Sequence, residues 1–474
     1  MSNESKISIK VTVDKQKNKV VYAEADHTFV DVLFSFMTLP LASIVRLLNK
    51  QSYKRNMEAF KSINNLYQSL VNLPDCFFFN EECKYSILNP RSPSYDLCRK
   101  LKVNIDDTES KKYFVCQSSY CIQYNTKFSN VCNARCDTCG AKINREIPFK
   151  DIDTCDGGGV FVSDVSTFIV TDDLRVMPYT PGCCIQLLID LEVTDSSHIE
   201  EKTVDLGYQQ IIDLLGLSLS CNSPLTYLVL YPSRDLIISQ HGIFDHCTSF
   251  DEIEEPKLFL HVFLQKSTKK FLFGEAEGDF VDFISGFFAI SLGTVIGQLM
   301  SGNSSLVCMD NLYKSISDIN VTYFRAIYMK DILLKTHFGQ QYSTKNQFFL
   351  LSCSEFPRIR LDKNSSDNDK VNSDSFLSYS FPGLTMDLND PRVGKELLKC
   401  SGMFMLTDDL VITSSSTISP MNILSKCNVP LKDIERHKVS IGLKEGIRML
   451  KASMISSTLS KGLEHQLKIL KLST

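Results

Sequence analysis

The sequence predicts an α+β fold built as a tandem duplication. First, residues 9–48 align without a gap onto residues 260–299, and most of the non-identical pairs exchange one apolar residue for another. Second, each copy begins with the apolar-polar alternation of strands and continues with apolar residues at helical spacing. Third, residues 168–174 match residues 404–410 as a second shared block. A repeat of this length fixes the number of copies before any element is assigned.

A β-hairpin is predicted at the start of each copy. Ile9, Val11 and Val13 alternate with polar residues, which is the period of a half-buried strand. A polar turn at residues 15–18 leads to a second apolar strand at residues 20–23. The same hairpin recurs in the second copy at residues 260–264 and 271–273.

Two helices are predicted after each hairpin. Thr28 and Asp279 occupy equivalent positions before the apolar run, where a side-chain oxygen can cap free backbone N–H groups. Pro40 begins the second helix. Residues that stay apolar at helical spacing in both copies are expected to be buried. These are Phe29, Leu33, Phe36, Leu41 and Leu48, with Phe280, Ile284, Phe287, Leu292 and Leu299 in the second copy.

One apolar stretch resembles a membrane span. Residues 283–309 carry no charge, and about 18 apolar residues suffice for a transmembrane helix. Glycine and polar residues dilute the stretch, however, and its counterpart in the first copy contains Pro40 and Arg46. Because homologous copies share an environment, two short buried helices are predicted and no membrane contact is expected.

The second shared block predicts a strand, a turn and a strand, followed by an amphipathic helix. Asp172 and Asp173 are expected to hold the turn through hydrogen bonds between side chain and backbone. Residues 204–207 match residues 439–442, and both runs lead into a helix. Each copy is therefore a β-hairpin with helices followed by a second β-β-α unit. The opening order is compatible with a β-grasp unit and with other α+β folds.

The copies define the domain boundaries. The first copy spans residues 1–247 and the second spans residues 258–474, with a polar linker between them. The first copy contains a cysteine-rich, zinc-ribbon-like insert at about residues 113–145. In the second copy, residues 361–374 are rich in Ser, Asn, Asp and Lys, which predicts a disordered or exposed loop.

Composition excludes several classes of protein. At 474 residues, with 43% hydrophobic and 22% charged residues, the chain has the composition of a multidomain globular protein. The net charge of −4 argues against non-specific nucleic-acid binding, which needs a basic surface. The N-terminus has no apolar leader, so an intracellular location, cytoplasmic or nuclear, is expected. The 17 cysteines are then expected to be thiols or metal ligands.

The cysteine insert carries the most specific chemical prediction. Cys116 and Cys121 form one pair, and Cys136 and Cys139 form a Cys-x-x-Cys pair followed by Gly140. Two such pairs supply the four thiolates of a tetrahedral structural zinc site, so one zinc ion per chain is predicted. Cys132 is a competing ligand, but a tetrahedral structural site has no place for a fifth thiolate, so Cys132 is expected to point away. The second copy retains Cys353 alone in this region, so the site is specific to the first copy.

Other polar motifs have simpler interpretations. Asp31 and Asp282 are acidic in both copies, as are Glu24 and Glu275, so a paired-carboxylate enzyme is conceivable. The favoured interpretation places both aspartates in the first turn of a helix, where the dipole stabilises negative charge. The glycines at residues 157–159 lack a phosphate-loop lysine and are expected to form a flexible approach to a strand. A metal could bind His241 and His246 with Cys247, but these residues lie beside the linker and have no counterpart in the second copy, so the histidines are expected to be exposed to solvent.

Four motifs carry a resemblance to a known family. They are "AEADHTFVDVLFSFMTLPLASIVRLL", the "CDTC" pair, "FIVTDDLRVMP" and "VSIGLKEGIRMLKASMISS". With these motifs the chain resembles the plant family catalogued as domain of unknown function 674, over nearly its whole length. The resemblance implies an intracellular plant protein and supplies no activity, substrate or catalytic residue.

Three functions are compatible with the sequence. The favoured hypothesis is a non-enzymatic binding or scaffold protein with a protein partner, because the copies share no catalytic constellation. The alternative is an enzyme whose site lies between the copies. A weaker alternative is a zinc-ribbon nucleic-acid binder, since the insert has basic residues, although acidic residues accompany them. The basic residues are Lys111, Lys112, Lys127, Arg135, Lys142 and Arg145, and the acidic ones are Asp106, Asp107 and Glu109.

Overall fold

The chain forms a mixed α+β fold, as its hydrophobic patterns predict. A computed structural model describes residues 5–50, 60–107, 112–118, 121, 127–129, 131–147, 158–164, 166–193, 196–232, 258–335, 338–339, 353–354, 358–362, 370–372, 384–389, 396–399, 402–414, 418–455, 458–464 and 466–467. Mostly antiparallel sheets and short helices pack around one large apolar core that draws residues from both halves of the chain.

The N-terminal half, residues 1–247, contains the following elements. The strands are β1 (Ile7–Asp14), β2 (Lys19–Ala25), β3 (Tyr113–Cys116), β4 (Lys127–Ser129), β5 (Ala134–Arg135), β6 (Lys142–Ile147), β7 (Phe168–Thr171), β8 (Val176–Pro178) and β9 (Ile199–Leu206). The helices are α1 (His27–Ser35), α2 (Leu41–Asn49), α3 (Lys61–Asn72), α4 (Glu81–Leu88), α5 (Tyr95–Cys98), α6 (Pro181–Asp190), α7 (Tyr208–Ser220) and α8 (Pro224–Leu230).

The C-terminal half, residues 258–474, contains a similar series. The strands are β10 (Leu258–Gln265), β11 (Phe271–Glu277), β12 (Phe338–Gly339), β13 (Cys353–Ser354), β14 (Arg358–Asp362), β15 (Lys370–Asn372), β16 (Leu384–Leu388), β17 (Met403–Leu406), β18 (Ile412–Ser414) and β19 (Ile434–Ile441). The helices are α9 (Gly278–Ser285), α10 (Leu292–Thr294), α11 (Val307–Asp318), α12 (Ile327–Leu334), α13 (Ile418–Cys427), α14 (Leu443–Ile455) and α15 (Leu459–Gly462).

Each half has a five-stranded antiparallel sheet. The first sheet has the order β8-β7-β2-β1-β9, and the second has the order β18-β17-β11-β10-β19. Alternation places Ile7, Ile9 and Val11 of β1 in the core, while Ser8 and Lys10 face outward. The predicted hairpins are thus present, and each is extended by the strands that the second shared block predicts.

The β-grasp order does not describe these sheets. In a β-grasp unit the first and last strands lie side by side and run parallel. Here β9 lies beside β1 and β19 lies beside β10, but both pairs are antiparallel. Each sheet is therefore an antiparallel meander with one further strand added beside its first strand.

A third sheet joins the two halves. Its order is β15-β14-β16-β4-β3-β6-β5, and β16 runs parallel to β4 across the junction. Strands β14 and β15 occupy part of the predicted loop at residues 361–374, because Leu361 pairs with Val371 there. Residues 363–369 and 373–374 of that loop lie outside the described residues.

The helix starts differ by one or two residues from the prediction. Asp26 caps α1, since its side chain accepts hydrogen bonds from the backbone N–H groups of Thr28, at 3.0 Å, and Phe29. Thr28 is thus inside the helix, and Asp279 likewise lies in the first turn of α9, whose N-cap is Glu277. The prediction of Thr28 and Asp279 as caps is wrong because both helices begin earlier than the first apolar residue.

The predicted core positions are buried. Phe29, Leu33, Phe36 and Leu41 are inaccessible to solvent, and their counterparts in the C-terminal half are at most 7% exposed, whereas Leu48 is partly buried. The uncharged stretch at residues 283–309 is divided among short helices, as predicted. Within the described part of the chain, no helix is long and apolar enough to cross a membrane.

Each half contributes a helix that packs against the five-stranded sheet of the other half. On α3, Ser69 Oγ accepts a hydrogen bond of 3.0 Å from the backbone N–H of Ile412, which belongs to the second sheet. On α11, Ser315 Oγ accepts the corresponding 2.9 Å bond from Val176 in the first sheet. Each sheet is therefore covered in part by a helix from the other half, which explains why a single core spans both.

Replacing Phe29 with alanine should lower the free energy of unfolding by about 3–5 kcal/mol, because its fully buried ring would leave a cavity. Urea denaturation followed by far-UV circular dichroism measures this loss. Phe259→Ala is the matched control, since that ring is 48% exposed and its removal should change stability little. Equal denaturation midpoints for Phe29→Ala and the unmodified chain would contradict the burial.

Candidate metal centre

The end of a strand and a turn position three of the four paired cysteines of the insert. Cys116 is the last residue of β3, and Cys136 to Cys139 form the turn between β5 and β6. The backbone N–H of Gly140 donates to the carbonyl of Cys136 at 2.8 Å, and Gly140 has a φ of +71°. A glycine adopts this left-handed conformation without steric cost, so it closes the turn on the thiols.

The four sulfur atoms lie close to one point. The Sγ atoms of Cys116, Cys121, Cys136 and Cys139 are all within 4.8 Å of one another. The distances are 3.5 Å from Cys116 to Cys139 and 3.9 Å from Cys121 to Cys136. In a tetrahedral site with metal–sulfur bonds of about 2.3 Å, sulfur atoms are about 3.8 Å apart. The arrangement can therefore hold one metal ion with little adjustment.

Electrostatics distinguish the thiols. Burial raises the pKa of Cys121 to about 12 and raises that of Cys116 above its ordinary value. The pKa of Cys139 is lowered to about 7, chiefly by the backbone N–H of Ala141 and then by neighbouring thiols. Cys139 is also the exposed member of the group. A metal ion would supply the positive charge that the buried thiolates need.

Cys132, the fifth cysteine of the insert, does not join the group. Cys132 is exposed and stands outside the group, as expected for a fifth thiol. Among the residues that the structure describes, no other set of three or more His, Cys, Asp or Glu side chains is close enough to hold an ion. His241, His246 and Cys247 lie outside the described residues.

The aspartates shared by the two halves have a different role from the one predicted. Asp31 is 2% exposed, and its carboxylate accepts hydrogen bonds from the backbone N–H groups of Val160, Phe161 and Val162 at 2.6–2.9 Å. It lies beyond the first turn of α1, so stabilisation by the helix dipole is the wrong explanation. The sequence could not reveal this role, because the donors are more than a hundred residues away.

Asp282 makes the equivalent contacts in the C-terminal half. Its carboxylate accepts hydrogen bonds from the backbone N–H groups of Leu397, at 3.0 Å, and Leu398, at 2.9 Å. Burial raises the pKa of Asp31 to about 6 and that of Asp282 to about 7, against the opposing effect of these N–H donors. Both carboxyl groups thus anchor a remote backbone segment rather than face a shared cleft.

The glycine run before Val160 is constrained, contrary to the predicted flexible approach. A Cβ atom on Gly159 would lie 2.0 Å from the carbonyl oxygen of Val162, so any larger residue would force the turn open. This turn presents the N–H groups that Asp31 accepts. Gly157 lies outside the described residues.

The turn at Asp172 and Asp173 is not held as predicted. Within it the hydroxyl oxygen of Thr171 accepts a hydrogen bond from the backbone N–H of Arg175 at 3.0 Å, whereas Asp172 bonds to a residue outside the turn. Asp172 accepts hydrogen bonds from the backbone N–H of Thr226, at 2.8 Å, and from its hydroxyl, at 2.7 Å. Asp408 accepts the same pair from Ser460, at 2.7 and 3.0 Å. The available sequence signal was a hydroxyl residue that recurs shortly after equivalent helices: Thr226 follows α7, and Ser460 follows α14.

The fold and this site define an α+β protein with a four-cysteine group that can hold a metal ion. The chain belongs to the family described as Protein of unknown function (DUF674), whose match spans residues 3–444. The resemblance found in the sequence motifs is thereby confirmed. No curated protein and no solved structure matches the chain.

Proposed function

We propose that this chain is a non-enzymatic binding protein whose four-cysteine group holds one structural zinc ion. The observation that carries the proposal is the ligand set itself. Four thiols occupy every position of a tetrahedral site, whereas a catalytic zinc keeps one position open for water or substrate. Soft thiolate ligands in tetrahedral geometry favour zinc, with iron as the alternative that metal analysis distinguishes.

Zinc would order the insert. The apolar cluster around the cysteines is small, with Phe114, Ala134 and Ile143 as its other buried members. A core of this size gives little stability by itself, so the free energy of metal binding would provide the rest of the stability that orders the insert. The hairpin of β5 and β6, with its Cys-x-x-Cys turn, supports the zinc-ribbon-like description of the insert.

The repeated carboxylates support a binding role over an enzyme between the halves. Asp31 and Asp282 are an acidic pair that the two halves share, and both hold buried backbone N–H groups. A carboxylate in that role has its oxygens occupied and cannot approach a substrate.

The two halves also support descent from one duplicated unit. Their five-stranded sheets have the same strand order. Helices α3 and α11 each have 12 residues, and α4 and α12 each have 8. We take the sequence repeat, the common topology and the reciprocal packing of helices between the halves as the marks of a tandem duplication.

One exposed apolar surface fits a protein partner. Val321 begins a short 3-10 helix (Val321–Tyr323) and is 41% exposed. Ile327 and Tyr328 begin α12 and are 76% and 60% exposed. The corresponding helix α4 begins with Glu81 and Glu82, so the fold does not require apolar residues there. Exposed apolar side chains of this kind are typical of surfaces that another protein covers.

A pull-down from plant tissue with the intact chain tests the binding role. The double variant Ile327→Glu and Tyr328→Glu, which introduces the residues that α4 tolerates, should lose the proteins that the unmodified chain captures. Glu81→Ala with Glu82→Ala is the matched control and should retain them. The lysate is treated with nuclease, so that capture dependent on nucleic acid is recognised as support for the nucleic-acid alternative.

Identical captured proteins for the unmodified chain and the Ile327→Glu, Tyr328→Glu variant would contradict this surface. No specific capture at all would contradict the binding function. Circular dichroism of both double variants checks that each remains folded.

A further inference from the structure

Asn389 joins the C-terminal half to the cysteine turn. It follows β16 directly and is 2% exposed. Its side-chain Nδ2 donates to the carbonyl of Arg135 at 3.0 Å, and its Oδ1 accepts from the backbone N–H of Asp137 at 3.1 Å. Its own backbone N–H donates to the carbonyl of Phe128 at 2.7 Å.

The two side-chain hydrogen bonds of Asn389 lie on either side of Cys136, one of the four proposed metal ligands. Arg135 and Asp137 are the neighbours of Cys136 on either side, so one amide side chain holds both peptide groups that flank this thiol. An amide is suited to this because it donates and accepts at the same time. Replacing this buried amide with alanine would remove both hydrogen bonds, to the carbonyl of Arg135 and from the N–H of Asp137.

The same region carries the junction between the halves. Leu388 pairs with Phe128 where β16 runs parallel to β4, and Asp387 pairs with Lys127. Lys127 in turn forms an ion pair with Asp137 inside the Cys-x-x-Cys turn. The strand pairing, the ion pair and the hydrogen bonds of the Asn389 side chain thus connect β16 with the turn that presents two of the four thiols.

We infer that Asn389 is a positioning residue for the metal centre, and that metal binding in the N-terminal half thereby controls the order of β16 in the C-terminal half. This inference rests on the zinc site proposed above. A zinc site specific to the first copy would by itself leave the second half indifferent to zinc, whereas this inference couples the two halves. Coupling of this kind is reciprocal, so weakening the β16 contact must weaken zinc binding and removing zinc must loosen β16.

The first measurement is the zinc dissociation constant of the full chain, by competition with a chromophoric chelator. Asn389→Ala should raise this constant about 10–100-fold, the range typical for outer-shell partners of metal ligands. Asn389→Asp retains the acceptor for Asp137 but sets a carboxylate oxygen against the carbonyl of Arg135, so it should not restore the affinity of the unmodified chain.

Asn65→Ala is the matched control. Asn65 also links the two halves, since its Nδ2 donates to the carbonyl of Asp409 at 2.9 Å, but it lies on α3 rather than beside the cysteines. This variant should lose stability without a change in zinc affinity. If Asn65→Ala weakens zinc binding as much as Asn389→Ala does, the effect is a general loss of stability and the inference is wrong.

The second measurement needs no variant. Hydrogen exchange of residues 384–389 in the unmodified chain is compared before and after zinc removal by a chelator, with β11 as the internal reference. Faster exchange in residues 384–389 and unchanged exchange in β11 support the coupling. Unchanged exchange in residues 384–389, or zinc affinity of Asn389→Ala within about twofold of the unmodified chain, overturns it. If the unmodified chain binds no zinc, both this inference and the proposed metal site fail.

Discussion

Replacing Cys136 with serine is expected to abolish zinc binding. The purified full chain should contain about one zinc ion, and Cys136→Ser should contain less than about one tenth of that after dialysis against a weak chelator. The reason is that the Sγ atoms of the four cysteines converge within 4.8 Å and leave no spare ligand among them. A hydroxyl group at neutral pH cannot replace a thiolate. Elemental analysis by mass spectrometry measures the outcome.

Cys132→Ser is the matched control for this experiment. It removes a cysteine from the same insert, but one that is exposed and outside the group, so about one zinc ion should remain. Absence of zinc from the unmodified chain, or equal zinc in both variants, would contradict the assignment of the ligands. Iron in place of zinc would keep the ligands and correct the metal.

The consequences of metal loss should be local at first. The cluster around the cysteines is separate from the large core, so the insert should lose order before either five-stranded sheet does. Strand β16 should follow the insert, because it pairs with β4. Simultaneous unfolding of both halves on zinc removal would show that the insert supports the large core as well.

Replacing Asp31 with alanine should destabilise the whole chain by roughly 4–6 kcal/mol at pH 5. Three backbone N–H groups, those of Val160, Phe161 and Val162, would lose their acceptor in a buried place. Each unsatisfied buried donor costs about 1–3 kcal/mol. Urea denaturation measures the loss. Asp26→Ala is the matched control on the same helix: it removes the N-cap, which costs about 1 kcal/mol.

The effect of this substitution should depend on pH. Burial raises the pKa of Asp31 in the folded chain to about 6, whereas an unfolded aspartate titrates near 3.9. Between these values the folded state holds a proton that the unfolded state has released, so stability falls as pH rises from about 4 to about 6. The stability of Asp31→Ala lacks this decrease, because the variant has no carboxyl group at this position. Its destabilisation should therefore be smaller at pH 8 than at pH 5.

Two results would contradict the role of Asp31. The first is a loss for Asp31→Ala no larger than that for Asp26→Ala. The second, which would contradict the raised pKa of Asp31 and not its hydrogen bonds, is a destabilisation that grows between pH 5 and pH 8, since the folded state would then favour the ionised carboxylate. Asp282→Ala should repeat the behaviour, with the fall in stability continuing to about pH 7 because the pKa of Asp282 is raised further.

Patterns within short stretches of sequence predicted much of this protein. Alternation and helical spacing predicted the hairpins and the buried side chains of α1 and α2, because these properties depend on neighbours a few residues apart. Cysteine spacing predicted that four thiols would meet and that Cys132 would lie apart. The error of two residues at the start of α1 arose because an earlier residue, Asp26, accepts the backbone hydrogen bonds of the first turn.

The sequence by itself determined the fold class, the identity of the paired thiols and the family. Only the tertiary structure decided which sheet each helix covers, which N–H groups Asp31 accepts and that Asn389 holds the cysteine turn. The physical reason is the separation of the partners. Ser69 and Ile412 are 343 residues apart, and Asn389 and Asp137 are 252 apart. Residue patterns encode burial and local geometry, but a bond over such a distance exists only once the topology of the whole chain has brought its two ends together.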